Sequence, residues 1–386
     1  MDFTTLFIVF AVSLVGPLLN ISPRFTVPLV ICDLVVGILL GTTGADLLQS
    51  ADPTFTFMAQ VGFAMVMLVA GTHVPLRNPA IVAGLRTGTL RAVGVGLLAV
   101  PLGYGVAWAF GTGHGAVYAV ILASSSASIV LPLLGATQVT SREGLAMLAQ
   151  IALADAACIV ALPLVMSPSG AGRAALGSLA VIGAAGAFFL FLLWLEKTGL
   201  RERSHEMSKR RELGLEVRVV LVAVFAIAAL ARSMGVSVML AGFAAGLAIA
   251  GSGEPHRVRR QLFAITQGFF APIFFIWLGS SLNLRELVAD PSGIAIGVAL
   301  GLGAVALHGA MALLRQPLPV AVATSAQLGV PIGAAGIGTA QGLFSSAEAT
   351  GLLLGALITI AAVTAAARWL VPQMTSPTLP SAAYPR

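Results

Sequence analysis

The stretch VPLVICDLVVGILLGTTG, residues 27–44, is apolar except for one acid, Asp33, and its pattern returns as VSVMLAGFAAGLAIAGSG at 236–253, with Gly37 falling on Gly246. A run this apolar belongs in a hydrocarbon core roughly 30 Å thick, which about 20 helical residues cross. Working outward, comparable runs recur along all 386 residues. Of these residues 58% are hydrophobic and 9% charged, with a mean hydropathy of +0.98. Soluble domains carry about 25% charged residues, so the composition specifies an integral membrane protein with no room for a sizeable soluble domain. The first apolar run starts at once, without a basic leader or a small-residue cleavage site, and is expected to be a retained helix.

The runs predict an all-α chain of about 13 transmembrane helices. They lie near 4–20, 26–42, 55–72, 88–110, 115–136, 143–165, 174–195, 214–233, 236–251, 261–280, 291–314, 317–342 and 349–371. The expected organisation is a single membrane domain over 1–386. Residues 1–165 form a first half and 214–372 a second, joined by a cytoplasmic linker at 196–212 and followed by a tail at 373–386. The net charge of +6 and a pI near 10.1 do not imply nucleic acid. All Lys and Arg residues but Arg173, Arg232 and Arg285 lie in or beside the loops after odd-numbered spans or in the tail. The positive-inside rule then places the N-terminus outside and the C-terminus in the cytoplasm of a plasma (inner) membrane, with lipid as the constant partner. Cys32 and Cys158 fall inside spans, so neither a disulfide framework nor a CxxC metal site is indicated.

The two halves repeat each other in order. LVAGTHVPLR (68–77) matches IWLGSSLNLR (276–285), pairing Gly71 with Gly279 and Arg77 with Arg285; GLAMLAQIALAD (144–155) matches GLLLGALITIAA (351–362). Seven spans separate the partners, an odd number, so the second repeat is inverted in the membrane. Secondary transporters are commonly built this way, with their site near the midplane between repeats.

The same alignment isolates Asp155, whose repeat partner is Ala362. Asp155 stands twelve residues past Glu143, about 18 Å along a helix, and is the only charge between Glu143 and Ser167. An ionised Asp at that depth costs about 2.5–3.5 kcal/mol. Scaffold symmetry does not require it, whereas binding of an ion or a proton would. A protonated, hydrogen-bonded structural Asp is the bland alternative.

Two spans are interrupted in corresponding places. One reads ILASSSASIVLPLL, with Ser124, Ser125, Ser126 and Ser128 before Pro132; the other reads SAQLGVPIGAAGIGTAQG, with Gly329, Pro331 and Gly333. Such segments point to discontinuous helices, whose freed carbonyls and hydroxyls suit a hard monovalent cation beside a carboxylate. Close helix packing is the competing use of the small residues. His308 has two readings: a partner or proton relay for Asp155, or a hydrogen-bonded structural histidine. His73 is placed at an interface, Asp33 at a cavity or an oligomer surface, and Cys158 is a small packing residue one turn beyond Asp155.

Taken together, VPLVICDLVVGILLG, SSSASIVLPLL, ALADAACIVALPLV, VMLAGFAAGLAIA and APIFFIWLGSSLNL resemble the cation:proton antiporter-2 family, the Kef-type sodium/proton exchanger-like transporters. Asp33 stands where that family usually has Glu. The resemblance implies the sodium/proton antiporter fold: two inverted repeats, crossed discontinuous helices in spans five and twelve, and a mobile core of spans four to six and eleven to thirteen. The other spans then form a homodimerisation region. It also implies Asp155 as the carboxylate that holds Na⁺ or K⁺. From the interrupted span itself Ser124, Ser125 and Ser126 are expected beside that ion, and no bound cofactor is expected. Electrogenic relatives carry two adjacent acids and a Lys in span eleven. This chain has Ala154-Asp155 and no Lys there, and His308 lies near that position. One proton per cation is therefore expected, and with no nucleotide-binding domain in the sequence, regulation in cis by one is not. Expected is a non-enzymatic cation/proton antiporter; a sodium-coupled organic solute symporter or a cation channel are the alternatives.

Overall fold

The computed structural model describes residues 1–21, 29–72, 74, 79–134, 139–166, 171–200, 214–253, 256–282 and 284–375. Among them the regular structure is helical, with no strand. Lipid offers the backbone no hydrogen-bond partner, so an apolar chain must satisfy its N–H and C=O groups within each helix. Most of the linker at 196–212 and of the tail at 373–386, and His73, lie outside the described residues.

The helices are α1 (Phe3–Ser13), α2 (Val15–Leu19), α3 (Leu29–Leu40), α4 (Pro53–Thr72), α5 (Pro79–Phe110) and α6 (Gly115–Ala123). Next come α7 (Ala127–Leu134), α8 (Arg142–Met166), α9 (Ala171–Lys197), α10 (Leu215–Ser233), α11 (Val238–Ser252) and α12 (His256–Ile265). The last are α13 (Ala271–Ser281), α14 (Leu284–Ala289), α15 (Pro291–Gly309), α16 (Leu318–Ala323), α17 (Gly329–Ala340) and α18 (Ser346–Met374). Every one of the thirteen expected spans holds at least one of them. Seven helical segments are long and apolar enough to cross a membrane unaided; most of the rest are short or broken in two. A π turn, Thr266–Phe270, joins α12 to α13, and a 3₁₀ turn, Ala310–Leu314, extends α15.

Helix ends follow local chemistry. The Asp290 carboxylate accepts from the Ser292 N–H at 3.0 Å, with Pro291 opening α15. Ser345 Oγ accepts from the Glu348 N–H at 3.1 Å and caps α18. Gly253, at φ 71°, follows α11 in the left-handed region that only glycine occupies without penalty.

The chain divides into two compact units, each drawn from two separate stretches. Unit 1 comprises 1–77 and 169–285, hence spans one to three and seven to ten; unit 2 comprises 78–168 and 286–386, hence spans four to six and eleven to thirteen. This is the division of spans that the family resemblance implied. Neither unit coincides with a half of the sequence.

Glycine contacts within each unit make the inverted repeat visible. In unit 1, α3 crosses α13 at Gly37 and Gly279: a Cβ on Gly37 would lie 2.3 Å from the Ile276 carbonyl oxygen and 2.9 Å from Gly279 Cα. Elsewhere in the unit, α4 crosses α11 at Gly71 and Gly246, where a Cβ on Gly71 would lie 2.4 Å from the Phe243 carbonyl oxygen and 2.9 Å from Gly246 Cα. The sequence alignment pairs Gly37 with Gly246 and Gly71 with Gly279, so the repeat relation turns one crossing into the other. In unit 2, Gly88 of α5 abuts the Ala146 carbonyl of α8, and Gly297 of α15 abuts the Gly351 carbonyl of α18. With lipid as solvent no hydrophobic force separates helix from tail, and close backbone approach between small residues supplies the attraction.

Candidate functional site

Both interrupted spans lie in unit 2. The first stops at Ala123 and resumes at Ala127, and the second stops at Ala323 and resumes at Gly329. The breaks thus sit a few residues before the prolines that announced them. Pro132 is the sixth residue of α7, while Gly329, Pro331 and Gly333 are the first, third and fifth of α17. A proline in the first turn forfeits no intrahelical bond, so Pro331 opens a helix rather than breaking one. The serines make the first break: Ser124 takes up extended geometry as it leaves α6, and its hydroxyl donates to the Ile121 carbonyl at 2.8 Å.

The two breaks meet. Ser125 Oγ donates to the Thr324 carbonyl, and Gln327 Nε2 donates to the Ile121 carbonyl at 2.7 Å. His308 Nε2 lies 3.2 Å from the Leu122 carbonyl, and its Nδ1 lies 3.0 Å from Thr324 Oγ1. Ile121 and Leu122 belong to the last turn of α6, and Thr324 caps α16, so side-chain donors cover carbonyls that the breaks expose. The sequence reading left these carbonyls free for a cation. The structure gives them side-chain donors instead, because a buried carbonyl left without a donor carries the full cost of its desolvation.

Asp155 stands at the other end of the break. It is 3% exposed, and its carboxyl faces the backbone N–H of Ala127, the first residue of α7. A helix N-terminus presents unpaired N–H groups and the positive end of the helix dipole, which favours a carboxylate. Ser126 and Ser128 bond to each other at 2.8 Å on the flanking turn. Among the described residues Asp155 forms no ion pair. The second repeat shows a matching contact with different chemistry: the Gln327 N–H donates to Thr359 Oγ1 at 3.2 Å, a hydroxyl of α18 three residues before Ala362.

Of the residues singled out in the sequence, Ser124, Ser125, Ser126, Asp155 and His308 are all buried and belong to the elements that form these breaks. His308 does not pair with Asp155, because Leu122 and Thr324 take both its ring nitrogens. Asp33 is buried in α3 of unit 1, with no hydrogen-bond partner among the described residues. Cys158 is a buried free thiol one turn beyond Asp155. Four residues at the crossing escaped the sequence reading. Gln327 and Thr324 lie in the second break, and Gln150 Nε2 donates to Thr324 Oγ1 at 3.3 Å while Gln150 Oε1 accepts from Gln316 Nε2 at 3.0 Å. An amide inside an apolar span carries a desolvation cost, and that signal marks Gln150 and Gln327.

Two broken helices meeting at their breaks, beside the buried Asp155 and within an inverted repeat, define a secondary-transporter core. Residues 10–379 match the transmembrane region of the sodium/hydrogen exchangers, and the chain belongs to that family. The fold is shared with the structure of the sodium proton antiporter MjNhaP1 from Methanocaldococcus jannaschii at pH 8. The TM-score is 0.65 at 14% identity, over 96% of this chain and 98% of that one. Among sequence relatives, "Probable Na(+)/H(+) antiporter 3" of Methanocaldococcus jannaschii is 26% identical over 73% of this chain and 72% of its own length. The "Na(+)/H(+)-K(+) antiporter GerN" of Bacillus cereus is 24% identical over 68% of each. YjbQ of Bacillus subtilis is 23% identical over 74% of this chain, which spans about half, 48%, of that protein's length.

Proposed function

We propose that the protein is a secondary active antiporter of the cation:proton antiporter-2 type, exchanging Na⁺ or K⁺ for protons across a plasma (inner) membrane. Its N-terminus lies outside, its C-terminus lies in the cytoplasm, and two copies associate through unit 1. One proton and one cation compete for Asp155, with Ser124, Ser125 and Ser126 lining the same break, and the carboxyl is exposed to each side in turn. The family match and the relatives named as sodium/proton antiporters support this over a solute symporter or a channel.

The observation that carries the reading is the environment of Asp155: a buried carboxyl facing one backbone N–H at the start of α7, with no cationic side chain paired to it among the described residues. A carboxylate has about four acceptor sites, and the remainder can be filled by a proton or by a desolvated cation, not by both. The test is purified protein in vesicles carrying an internal pH dye, challenged separately with Na⁺, K⁺ and Li⁺. Wild type should move protons against at least one of these ions, and Asp155→Asn should reduce that exchange to the protein-free background. Undiminished exchange in the folded variant would rule out Asp155 as the shared site.

A further inference from the structure

We infer that Thr324 is a positioning residue whose hydroxyl turns between two acceptors, so that His308 takes up and releases a proton with every heavy atom of the crossing in place. The inference deepens the proposed exchange and rests on it only for its transport readout. His308 is fully buried, yet each ring nitrogen has a partner. Nε2 faces the Leu122 carbonyl, which can only accept, so Nε2 carries a hydrogen in both protonation states. Nδ1 faces Thr324 Oγ1, which can accept or donate. That oxygen also lies 2.7 Å from the Ala321 carbonyl.

Two arrangements follow from one set of positions. With neutral imidazole, the Thr324 hydroxyl donates to Nδ1. With imidazolium, Nδ1–H donates to Thr324 Oγ1 and the hydroxyl turns onto the Ala321 carbonyl. That carbonyl keeps the Thr324 N–H at 3.2 Å in either case and is never orphaned. Gln150 donates to Oγ1 throughout and is held by Gln316, so the oxygen cannot drift from its place. In the charged state Thr324 uses both lone pairs and its one hydrogen, which is its full capacity. A positive charge is also well placed, since Leu122 and Thr324 lie at the C-terminal ends of α6 and α16, the negative ends of both helix dipoles.

Charged groups on the surrounding helices are engaged elsewhere. Arg91 of α5 pairs with Glu143 of α8 at 2.8 Å. Glu348 of α18 accepts from Tyr118 of α6, and Asp155 of α8 faces the Ala127 N–H. Arg86 and Tyr104 of α5 and Arg368 of α18 are exposed, and α16, α17 and the 3₁₀ turn contribute no titratable side chain.

The experiment is nitrogen NMR of the full-length protein labelled at its five histidines, with His308 identified by its loss in His308→Asn. Wild type should show His308 Nε2 protonated throughout a pH series, with Nδ1 alone titrating. Thr324→Val removes the acceptor of Nδ1–H, so that midpoint, and the acid limb of cation-driven proton movement in vesicles, should move down by about one pH unit or more. Thr324→Ser keeps the rotor and should keep the wild-type midpoint. Should Thr324→Val not fold, Thr324→Cys, with its weaker acceptor, should move the midpoint in the same direction by less. An unshifted midpoint in the variant that folds, a wild-type Nδ1 that never titrates, or an Nε2 that loses its hydrogen would each overturn the inference. Failure of the antiport reading is separate: wild type would then move no protons against cations while His308 still titrates as described.

Discussion

Glu348 and Asp155 are both buried carboxylates of unit 2, and their surroundings differ. Glu348 Oε1 accepts from Tyr118 Oη at 2.5 Å and lies 2.7 Å from His114 Nδ1, while the Phe344 ring meets His114 edge-on at 4.8 Å. Those bonds tie the start of α18 to the start of α6, which is structural work. Asp155 has one backbone N–H. Glu348→Ala leaves a buried tyrosine hydroxyl without its acceptor and should destabilise the protein by about 1–3 kcal/mol. Asp155→Asn keeps an amide oxygen for the Ala127 N–H and should leave stability nearly unchanged. Thermal unfolding of the two purified variants in detergent compares them directly, and equal losses would make Asp155 a structural residue. Asp155 was legible in the sequence because it is a lone acid at mid-span. Glu348 was not singled out, because an acid in the first turn of a helix is ordinary and only the fold brings Tyr118 and His114 to it.

At the scale of elements, the glycines separate into those that set a crossing and those that do not. Gly71→Ala drives a methyl into the Phe243 carbonyl and should cost about 1–3 kcal/mol. Gly279→Ala, its counterpart under the repeat, drives a methyl into the Leu34 carbonyl and should cost a similar amount. Gly96 and Gly105 of α5 meet nothing within 4 Å, so alanine there should be neutral or slightly stabilising through its better helix propensity. Unfolding midpoints of the four variants check this, and a tolerated Gly71→Ala beside a damaging Gly96→Ala would contradict the crossing geometry. The existence of two broken helices was readable from clustered serine, glycine and proline. The residues at which they break were not, because a proline in the first turn of a helix and a proline in a break look alike in one dimension.

For the whole molecule, the interleaving of the units has a consequence for assembly. Unit 1 closes through α3 on α13 and α4 on α11, contacts that join the first half of the chain to the second. Unit 2 joins the halves again through Ser125 and Thr324, and through Gln327 and Ile121. Residues 1–200 expressed alone should therefore fail to give a stable, monodisperse species in detergent. The same fragment co-expressed with 201–386 should co-purify with it and regain protease resistance. A stable isolated first half would show that the contacts between halves are dispensable.

Span number, helical class, the inverted repeat, the broken spans and the isolation of Asp155 were all determined by the sequence itself. Each rests on local composition or on self-comparison: an apolar run of given length must be a helix in lipid, and an acid inside it stands out against its repeat partner. Tertiary structure alone decided where the helices break, that α3 meets α13 while α4 meets α11, and that His308 turns to Leu122 and Thr324 instead of Asp155. Those outcomes are choices among hydrogen-bond and packing partners far apart in the chain, and the free energy that selects a partner exists only once the helices have come together.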